Sequence, residues 1–302
     1  MKNILITGTS SGIGLAAAVE LAKRGERVFA SMRDTSRSHA LLAAAAAAGV
    51  SVEIVQLDVT DPASVQRAVR DVLAEAGRID VVVNNAGISL EGPLEFSTEE
   101  ETMAAFETHV FGPLRLIRAV LTSMRERGGG RIVNVSSLAA HPRFGHRLMG
   151  LYSASKAAMS AMTEELCKEV APLGIQVVLM EGVVGDTAMT AGVARRALTR
   201  NPDASPYRVV ERIHQRQWAN PVAPELAAQS ARSIAEACTI ADPPFMYPPQ
   251  FLPAIIPLMP ADDSRFVRLC ALDPTPELYE GMSRFWQVGR TVAHEEAAAG
   301  RN

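Results

Sequence analysis

A phenol and an amine stand four residues apart near the middle of the chain, in the segment YSASK at residues 152–156. Residues at this spacing lie on the same face of a helix. A free tyrosine has a pKa of about 10 and ionises poorly at neutral pH. A neighbouring ammonium stabilises the phenolate and lowers that pKa. We therefore expect Lys156 to make Tyr152 a usable general acid or base.

Ser137 follows a run of β-branched residues and could donate a hydrogen bond to a substrate oxygen. A hydroxyl beside such a phenol suits proton transfer to or from an alcohol or carbonyl while a cofactor moves a hydride. The pattern YxxxK is common by itself, and a helix that carries it by chance is the competing interpretation. A cofactor site elsewhere in the chain would favour the chemical interpretation.

The N-terminal segment predicts such a cofactor site. An apolar strand pattern at residues 3–7 leads directly into TGTSSGIG at residues 7–14, and a helical pattern follows. Glycines in a strand–turn–helix unit allow a tight turn and let the backbone approach a pyrophosphate, which the helix N-terminus stabilises. The residues predicted to bind the cofactor here are Gly8, Ser10, Ser11, Gly12, Ile13 and Gly14.

The end of the second predicted strand bears on the choice between NAD and NADP. An acid at the strand tip would hydrogen-bond the ribose hydroxyls, whereas a guanidinium would bind a 2′-phosphate. We place Met32 at the tip and Arg33 next to it, which favours NADP(H). A shift of one residue would bring Asp34 to the ribose and leave Arg33 a solvated charge, so NAD(H) stays open as the alternative.

Two further segments fall at the carboxyl ends of predicted strands, where ligands bind in doubly wound sheets. One follows the third strand, where a side chain can reach an adenine, and the other is NNAG, whose small residues leave room for a ribose. The residues that these segments add to the predicted cofactor site are Asp58, Val59, Asn85, Ala86 and Gly87.

The elements that must position these residues alternate along the chain. Short β-branched runs predict strands, and longer periodic stretches between them predict helices. Nearly continuous apolar strands that alternate with helices predict an α/β fold with a doubly wound parallel sheet. The predicted strands are 3–7, 27–31, 52–57, 81–84, 131–136 and 176–180, and the predicted helices are 13–24, 38–48, 62–76, 98–127, 153–172 and 224–238.

The character of the sequence changes after residue 187. Residues 188–220 are polar without strand signals, and the proline-rich apolar segment 243–260 bars a regular central strand except at 245–247. We therefore predict one domain over residues 1–302, with a cofactor-binding and catalytic core at 1–187 and a C-terminal substrate-side elaboration at 188–302. The proline-rich segment would enclose an apolar substrate, or would pack in the core or at a dimer interface.

Composition limits the class of partner. The chain has 302 residues and a formal net charge of −3, so no basic excess predicts nucleic-acid binding. The three cysteines lie far apart without CxxC spacing, which argues against a disulfide framework or a metal site and fits a reducing compartment. No apolar run is long enough to predict a signal peptide or a membrane span, so we expect a cytoplasmic location.

Taken together, TGTSSGIG, NNAG and a serine ahead of YSASK resemble the short-chain dehydrogenase/reductase family over residues 1–187. The resemblance implies a Rossmann fold that binds NAD(P)(H) and assembles as a homodimer or homotetramer. It further implies that Tyr152 is the acid/base, that Lys156 binds the nicotinamide ribose, and that Ser137 polarises the substrate oxygen. Segments 108–121, 224–237 and 251–259 are loosely similar to the 17β-hydroxysteroid and retinol dehydrogenase subgroup, which suggests an apolar alcohol or ketone substrate.

Three departures from the family pattern stand out. His109 takes the place of an asparagine that supports a proton-relay water, and a histidine there could keep a relay or be structural. An insertion at 141–147 either reads a polar substrate group or is simply solvated. The family's Pro-Gly after the sixth strand is replaced by EGVVGDT, in which Val183 and Thr187 would still contact the nicotinamide.

We therefore expect an NADP-preferring oxidoreductase that interconverts a secondary alcohol and a carbonyl. One alternative is a nucleotide-binding regulatory protein with little turnover, which the departures at His109 and at 181–182 favour. The other is an isomerase that returns the hydride to its substrate and retains its cofactor.

Overall fold

One sheet organises the part of the chain that the computed structural model describes, which is residues 1–141, 147–182, 206–219 and 224–247. Its strands are β1 (Asn3–Thr7), β2 (Arg27–Met32), β3 (Glu53–Gln56), β4 (Val81–Asn84), β5 (Gly130–Ser137), β6 (Ile175–Gly182) and β7 (Met246–Tyr247). The described strands pair in parallel in the order β3-β2-β1-β4-β5-β6-β7. Because the order reverses between β1 and β4, the carboxyl ends of these strands border the crevice where ligands bind in such sheets.

Helices cover both faces of this sheet. They are α1 (Gly12–Lys23), α2 (His39–Ala47), α3 (Pro62–Ala76), α4 (Glu99–Phe106), α5 (Gly112–Glu126), α6 (Gly150–Val170), α7 (Arg208–Ala219) and α8 (Pro224–Thr239). Successive residues of β1 show the two layers. Ile4 and Ile6 are buried with α1 and α8, whereas Leu5 is buried with α3, α5 and α6. The predicted Rossmann-type doubly wound fold is confirmed.

Local sequence signals fix several helix ends. Asp61 caps α3 by accepting a hydrogen bond from the Ala63 N–H at 2.9 Å, and Pro62 follows at the first helical position. Thr98 and Glu101 form a reciprocal capping box at the start of α4. These signals fix where α3 and α4 begin, and therefore where the segments that follow β3 and β4 end.

The observed elements differ from the predicted ones in two places. The predicted helix 98–127 is divided, because a π-helical turn at Glu107–Phe111 separates α4 from α5. The helix α7 lies in a segment that was predicted only to lack strands. The described strands agree with the predicted bounds to within two residues, and β7 falls in the short window where proline permits a strand. None of the described helices combines the length and apolar composition that a membrane span requires.

Candidate active site

The turn between β1 and α1 has no room for side chains at its glycines. A Cβ added to Gly8 would lie 2.7 Å from the Ala86 Cα, and one added to Gly14 would lie 2.3 Å from the Gly8 carbonyl oxygen. Gly8 and Gly12 also have φ values of +73° and +60°, which L side chains adopt at a cost. The turn therefore brings its backbone close to the crevice, as a pyrophosphate site requires.

The segment after β4 holds this turn in place. The Asn85 amide donates to the Thr7 carbonyl oxygen at 2.8 Å and to the Gly8 carbonyl oxygen at 3.2 Å. The backbone N–H groups of Asn85 and Ala86 both donate to the Thr7 hydroxyl at 3.0 Å. The Asn85 side chain thus supports the glycine turn. The hydrogen bonds from Asn85 and Ala86 converge on Thr7, which begins the segment TGTSSGIG but is not among the predicted cofactor-binding residues.

The tip of β2 shows how the two candidate ribose-binding residues differ. Arg33 follows the last residue of β2 and is exposed. The Asp34 carboxylate accepts hydrogen bonds from the Ser36 hydroxyl at 2.7 Å and from the Ser36 N–H at 3.1 Å, and these contacts hold the pKa of that carboxyl below its usual value. Asp34 is therefore engaged in its own turn, while the guanidinium of Arg33 is exposed at the strand tip.

The segment after β3 contributes in a similar way. Asp58 accepts hydrogen bonds from the N–H of Thr60 at 2.9 Å and from its hydroxyl at 2.8 Å. Val59 is buried and lies against Gly112, where a Cβ would come within 2.9 Å of it. Asp58 thus shapes the turn at the end of β3, and Val59 packs that turn against the start of α5.

The proton-transfer group is assembled where β5 meets α6. Ser137 is the last residue of β5, and Tyr152 and Lys156 lie one turn apart near the start of α6. All three side chains are buried. The Lys156 ammonium donates to the Val135 carbonyl oxygen at 2.7 Å and lies 5.9 Å from the centre of the Tyr152 ring. The structure thus brings the three predicted side chains together.

Burial dominates the electrostatics of this group. It lowers the pKa of Lys156 from 10.5 to about 7 and raises the pKa of Tyr152, with Ser137 acting on the phenol in the opposite direction through a hydrogen bond. The expectation that Lys156 would lower the pKa of Tyr152 is therefore wrong for this structure. Desolvation disfavours both charged forms, and the ammonium points to a backbone carbonyl rather than to the phenol.

A buried network holds α6 on the sheet beneath these groups. The Asn84 amide donates to the Asn134 side-chain oxygen at 2.8 Å, and the Asn134 amide donates to the Thr163 hydroxyl at 2.9 Å. The network joins β4, β5 and α6 through side chains that water does not reach. Only Asn84 belongs to a predicted motif, because a single buried asparagine or threonine carries no distinct sequence signal.

Polar pairs that the sequence did not reveal lie near the ends of β4, β5 and β6. His141 Nε2 lies 2.6 Å from Glu181 Oε1, and Glu181 is fully buried beside Ser136 of the neighbouring strand. Glu91 Oε2 lies 3.0 Å from His214 Nε2 of α7, and both side chains are buried. Neither pair has a fixed sequence spacing, so only the fold brings its members together. The predicted residues Val183 and Thr187, and positions 142–146 of the insertion, lie outside the described residues.

Comparisons with known proteins agree with this arrangement. The sequence profile described as short chain dehydrogenase matches residues 2–197. Because this match covers more than half of the chain, the protein belongs to the short-chain dehydrogenase family. The family that the motifs suggested is confirmed.

Three curated relatives match the same region. The chain is 38% identical to a 3-ketodihydrosphingosine reductase of Bacteroides thetaiotaomicron, over 59% of this chain and 62% of the relative. It is 39% identical to retinol dehydrogenase 8 of Bos taurus, over 60% of this chain and 58% of the relative. It is also 39% identical to human 17-beta-hydroxysteroid dehydrogenase type 1, over 59% of this chain and 55% of the relative. The matched region thus spans less than two thirds of each relative, and the similarity to the predicted subgroup is confirmed.

Solved structures share the fold. A short-chain dehydrogenase from Streptomyces avermitilis superposes with a TM-score of 0.68 at 30% identity, over 100% of this chain and 99% of that chain. A metagenomic short-chain oxidoreductase in complex with NADP gives 0.56 at 30% identity, over 61% and 82%. A 3-ketoacyl-(acyl-carrier-protein) reductase from Brucella melitensis complexed with NADH gives 0.64 at 26% identity, over 79% and 90%. Similar structures therefore hold either nicotinamide cofactor.

Proposed function

We propose that the protein interconverts a secondary alcohol and a carbonyl with NADP(H), and that Tyr152 transfers the proton. The observation that carries the proposal is the burial of Ser137, Tyr152 and Lys156 together at the end of β5. The glycine turn supports it, because Cβ atoms at Gly8 and Gly14 would collide with the Ala86 backbone and the Gly8 carbonyl oxygen. Only glycine therefore permits the tight turn between β1 and α1 that a dinucleotide site requires.

Each of the three side chains has a distinct task in carbonyl reduction. A bound nicotinamide would supply the hydride to the carbonyl carbon. The Tyr152 hydroxyl gives its proton to the carbonyl oxygen, and Ser137 donates a hydrogen bond to the same oxygen. Because burial brings the pKa of Lys156 to about 7, this amine can take up or release a proton at neutral pH. Alcohol oxidation runs the same transfers in reverse.

The preference for NADP rests on the contrast between Arg33 and Asp34. Arg33 is exposed at the tip of β2, where a 2′-phosphate would lie, and the Asp34 carboxylate is already bonded to Ser36. A guanidinium binds phosphate with charge-assisted hydrogen bonds. The remaining cofactor contacts that we propose are Asp58 and Val59 beside the adenine, Ala86 and Gly87 beside the ribose, Lys156 on the nicotinamide ribose, and Val183 and Thr187 on the nicotinamide amide.

The substrate that we propose is an apolar alcohol or ketone. The relatives are named for a hydroxysteroid, a retinol and a 3-ketodihydrosphingosine, and the predicted substrate-side segment 243–260 is rich in apolar residues. We also propose a homodimer or homotetramer, because α4 and the π-helical turn expose Met103 and Phe111.

A cofactor titration followed by a turnover assay tests this function. NADPH and NADH are titrated separately while energy transfer from Trp218 and Trp286 to the reduced nicotinamide is recorded. We expect tighter binding of NADPH, and turnover of apolar ketones that falls about 10²- to 10⁴-fold in Tyr152→Phe. Tighter binding of NADH would refute the role of Arg33. Tight binding without turnover would favour a regulatory protein, and substrate conversion without a net change in reduced cofactor would favour an isomerase.

A further inference from the structure

His109 lies between the start of α6 and the segment that follows β4. This segment, residues 85–98, is called the turn after β4. His109 is only 1% exposed and belongs to the π-helical turn between α4 and α5. Its Nε2 atom lies 3.1 Å from the backbone nitrogen of Ile88. A backbone N–H can only donate, so Nε2 must be the acceptor and carries no proton.

The other ring nitrogen of His109 faces a serine whose own proton is already committed. The Ser155 hydroxyl lies 2.8 Å from His109 Nδ1 and 2.8 Å from the Tyr152 carbonyl oxygen. A carbonyl oxygen can only accept, so Ser155 donates its single proton to Tyr152 and accepts from Nδ1. The hydrogen bonds therefore run in one direction, from the Ile88 N–H to His109, from His109 to Ser155, and from Ser155 to the Tyr152 carbonyl.

This arrangement fixes His109 as a neutral imidazole with its proton on Nδ1. A second proton would have to sit on Nε2, where it would face the Ile88 N–H, and two donors would oppose each other. Burial and the nearby Lys156 also hold the pKa of His109 well below its usual value. Both ring nitrogens are thus in use, and a water relay through His109 would have to break one of these bonds.

We propose that His109 and Ser155 are positioning residues that hold the first turns of α6, and with them Tyr152, against the turn after β4. The proposal rests on the proposed function, in which the place of the Tyr152 hydroxyl decides the rate of proton transfer. The His109 ring also packs edge-on against the Tyr152 ring, with their centres 5.5 Å apart. Contacts on the backbone and on the ring of Tyr152 therefore restrain it together.

The start of α6 depends on contacts of this kind. The side chain of its N-cap residue, Met149, supplies no capping hydrogen bond, and Leu148 before it has a φ of +65°. A non-glycine residue in that region is strained, and such residues persist only where their surroundings hold them. The Gly92 N–H donates to the Leu148 carbonyl oxygen at 2.8 Å. The turn after β4 thus holds this end of α6 in two ways, directly through Gly92 and indirectly through Ile88, which bonds His109.

Substitutions that separate the two bonds of His109 test the proposal. A glutamine places its side-chain oxygen near Nε2 and can accept from Ile88, but it cannot reach Ser155. We expect His109→Gln and Ser155→Ala each to lower kcat about tenfold to a hundredfold, as a small misplacement of a reacting group does. KM for the cofactor should stay within about twofold. Because both changes break one path, the double variant should be no worse than either single variant.

The chain offers a matched control. The Ser123 hydroxyl in α5 donates to the Val120 carbonyl oxygen at 3.0 Å, the same bond within a helix that Ser155 makes with Tyr152. Ser123→Ala should keep the wild-type kcat, whereas Ser155→Ala should not. A wild-type kcat in Ser155→Ala together with a large loss in His109→Gln would overturn the proposal and support a relay through His109.

A measurement of the tautomer gives a result that does not depend on turnover. Long-range proton–nitrogen NMR spectra of protein with labelled histidines would resolve six imidazoles, and the signal missing from His109→Gln identifies His109. We expect a neutral ring with the proton on Nδ1 and no titration between about pH 6 and pH 8. A proton on Nε2 would overturn the proposal even in an active enzyme. Loss of turnover in Tyr152→Phe tests the proposed function separately.

Discussion

Burial controls the proton affinity of the side chains at the end of β5. Lys156 and Tyr152 are both enclosed, and each is pushed towards its neutral form. The sequence predicted the pair because the spacing of YxxxK fixes its geometry on a helix. The same spacing predicted the wrong direction for the pKa shift of Tyr152. The burial that raises this pKa depends on how β5 and α6 pack together, and no local sequence feature indicates it.

The lowered pKa of Lys156 predicts a specific dependence of stability on pH. The pKa of Lys156 is about 7 in the folded protein, whereas the ordinary value of 10.5 applies to the unfolded chain. At pH values between these two, the unfolded chain therefore binds a proton that the folded chain lacks. The free energy of unfolding should therefore rise from pH 7 to about pH 9, by at most about 1.4 kcal/mol per pH unit. The raised pKa of Tyr152 acts only above about pH 10 and leaves this window undisturbed.

Urea denaturation of wild type and Lys156→Met at several pH values measures this effect. Methionine keeps much of the volume of the lysine side chain but cannot take up a proton. We expect the difference between the two stabilities to move in favour of wild type as the pH rises. Parallel pH profiles for the two proteins would show that Lys156 titrates normally when folded.

At the scale of elements, α7 is held by polar contacts with the turn after β4. His214 and Glu91 form the buried pair, the Tyr207 hydroxyl donates to Glu95 Oε2 at 2.6 Å, and the rings of Tyr207 and Phe96 meet edge-on at 5.6 Å. The same turn contacts Leu148, just before α6, through Gly92, and it contacts His109 through Ile88. It therefore lies between α7 and the helix that carries Tyr152.

Loss of one partner of the buried pair should loosen α7 without unfolding the sheet. His214→Ala removes a hydrogen-bond partner from the buried Glu91 carboxylate, and a buried polar group that loses its partner costs about 1–3 kcal/mol. We expect hydrogen exchange of the α7 amides to accelerate at least about tenfold, with little change in β1 or β4. Tyr207→Phe, which removes an exposed hydrogen bond next to the same helix, is the control and should change the exchange little. Equal exchange in His214→Ala and wild type would contradict this role of the pair.

Two elements show why part of the fold escaped the sequence analysis. The sequence does contain a feature that accounts for the π-helical turn. Pro113 has no N–H to bond the carbonyl oxygen four residues earlier, so the regular helix is interrupted there. The sequence indicates the helix α7 more weakly, because it carries many charged residues. Its contacts with the rest of the protein run through His214 and Tyr207, whose partners lie more than a hundred residues away.

At the scale of the whole molecule, the elements that sequence predicts best are those with local causes. The central strands are short apolar runs that are buried on both faces, and the glycine turn permits almost no other residue at its close approaches. The pairs His141–Glu181 and Glu91–His214 depend on packing between distant segments. The candidate cofactor site was therefore largely predictable, whereas the polar groups near the predicted substrate side were not.

The apolar surface of α4 and the π-helical turn carries the prediction about assembly. Met103 and Phe111 are 52% and 39% exposed, and methionine and aromatic side chains are enriched where proteins contact each other. A twofold interface would place the same patch of both subunits together. We expect sedimentation equilibrium to give a dimer or tetramer for wild type and a shift towards monomer for Phe111→Asp.

Leu42→Asp, at a position on α2 that is 43% exposed, is the matched control and should keep the wild-type assembly, because a charge disrupts association only where the side chain is buried between subunits. A wild-type monomer, or equal dissociation of both variants, would refute this assignment of the interface.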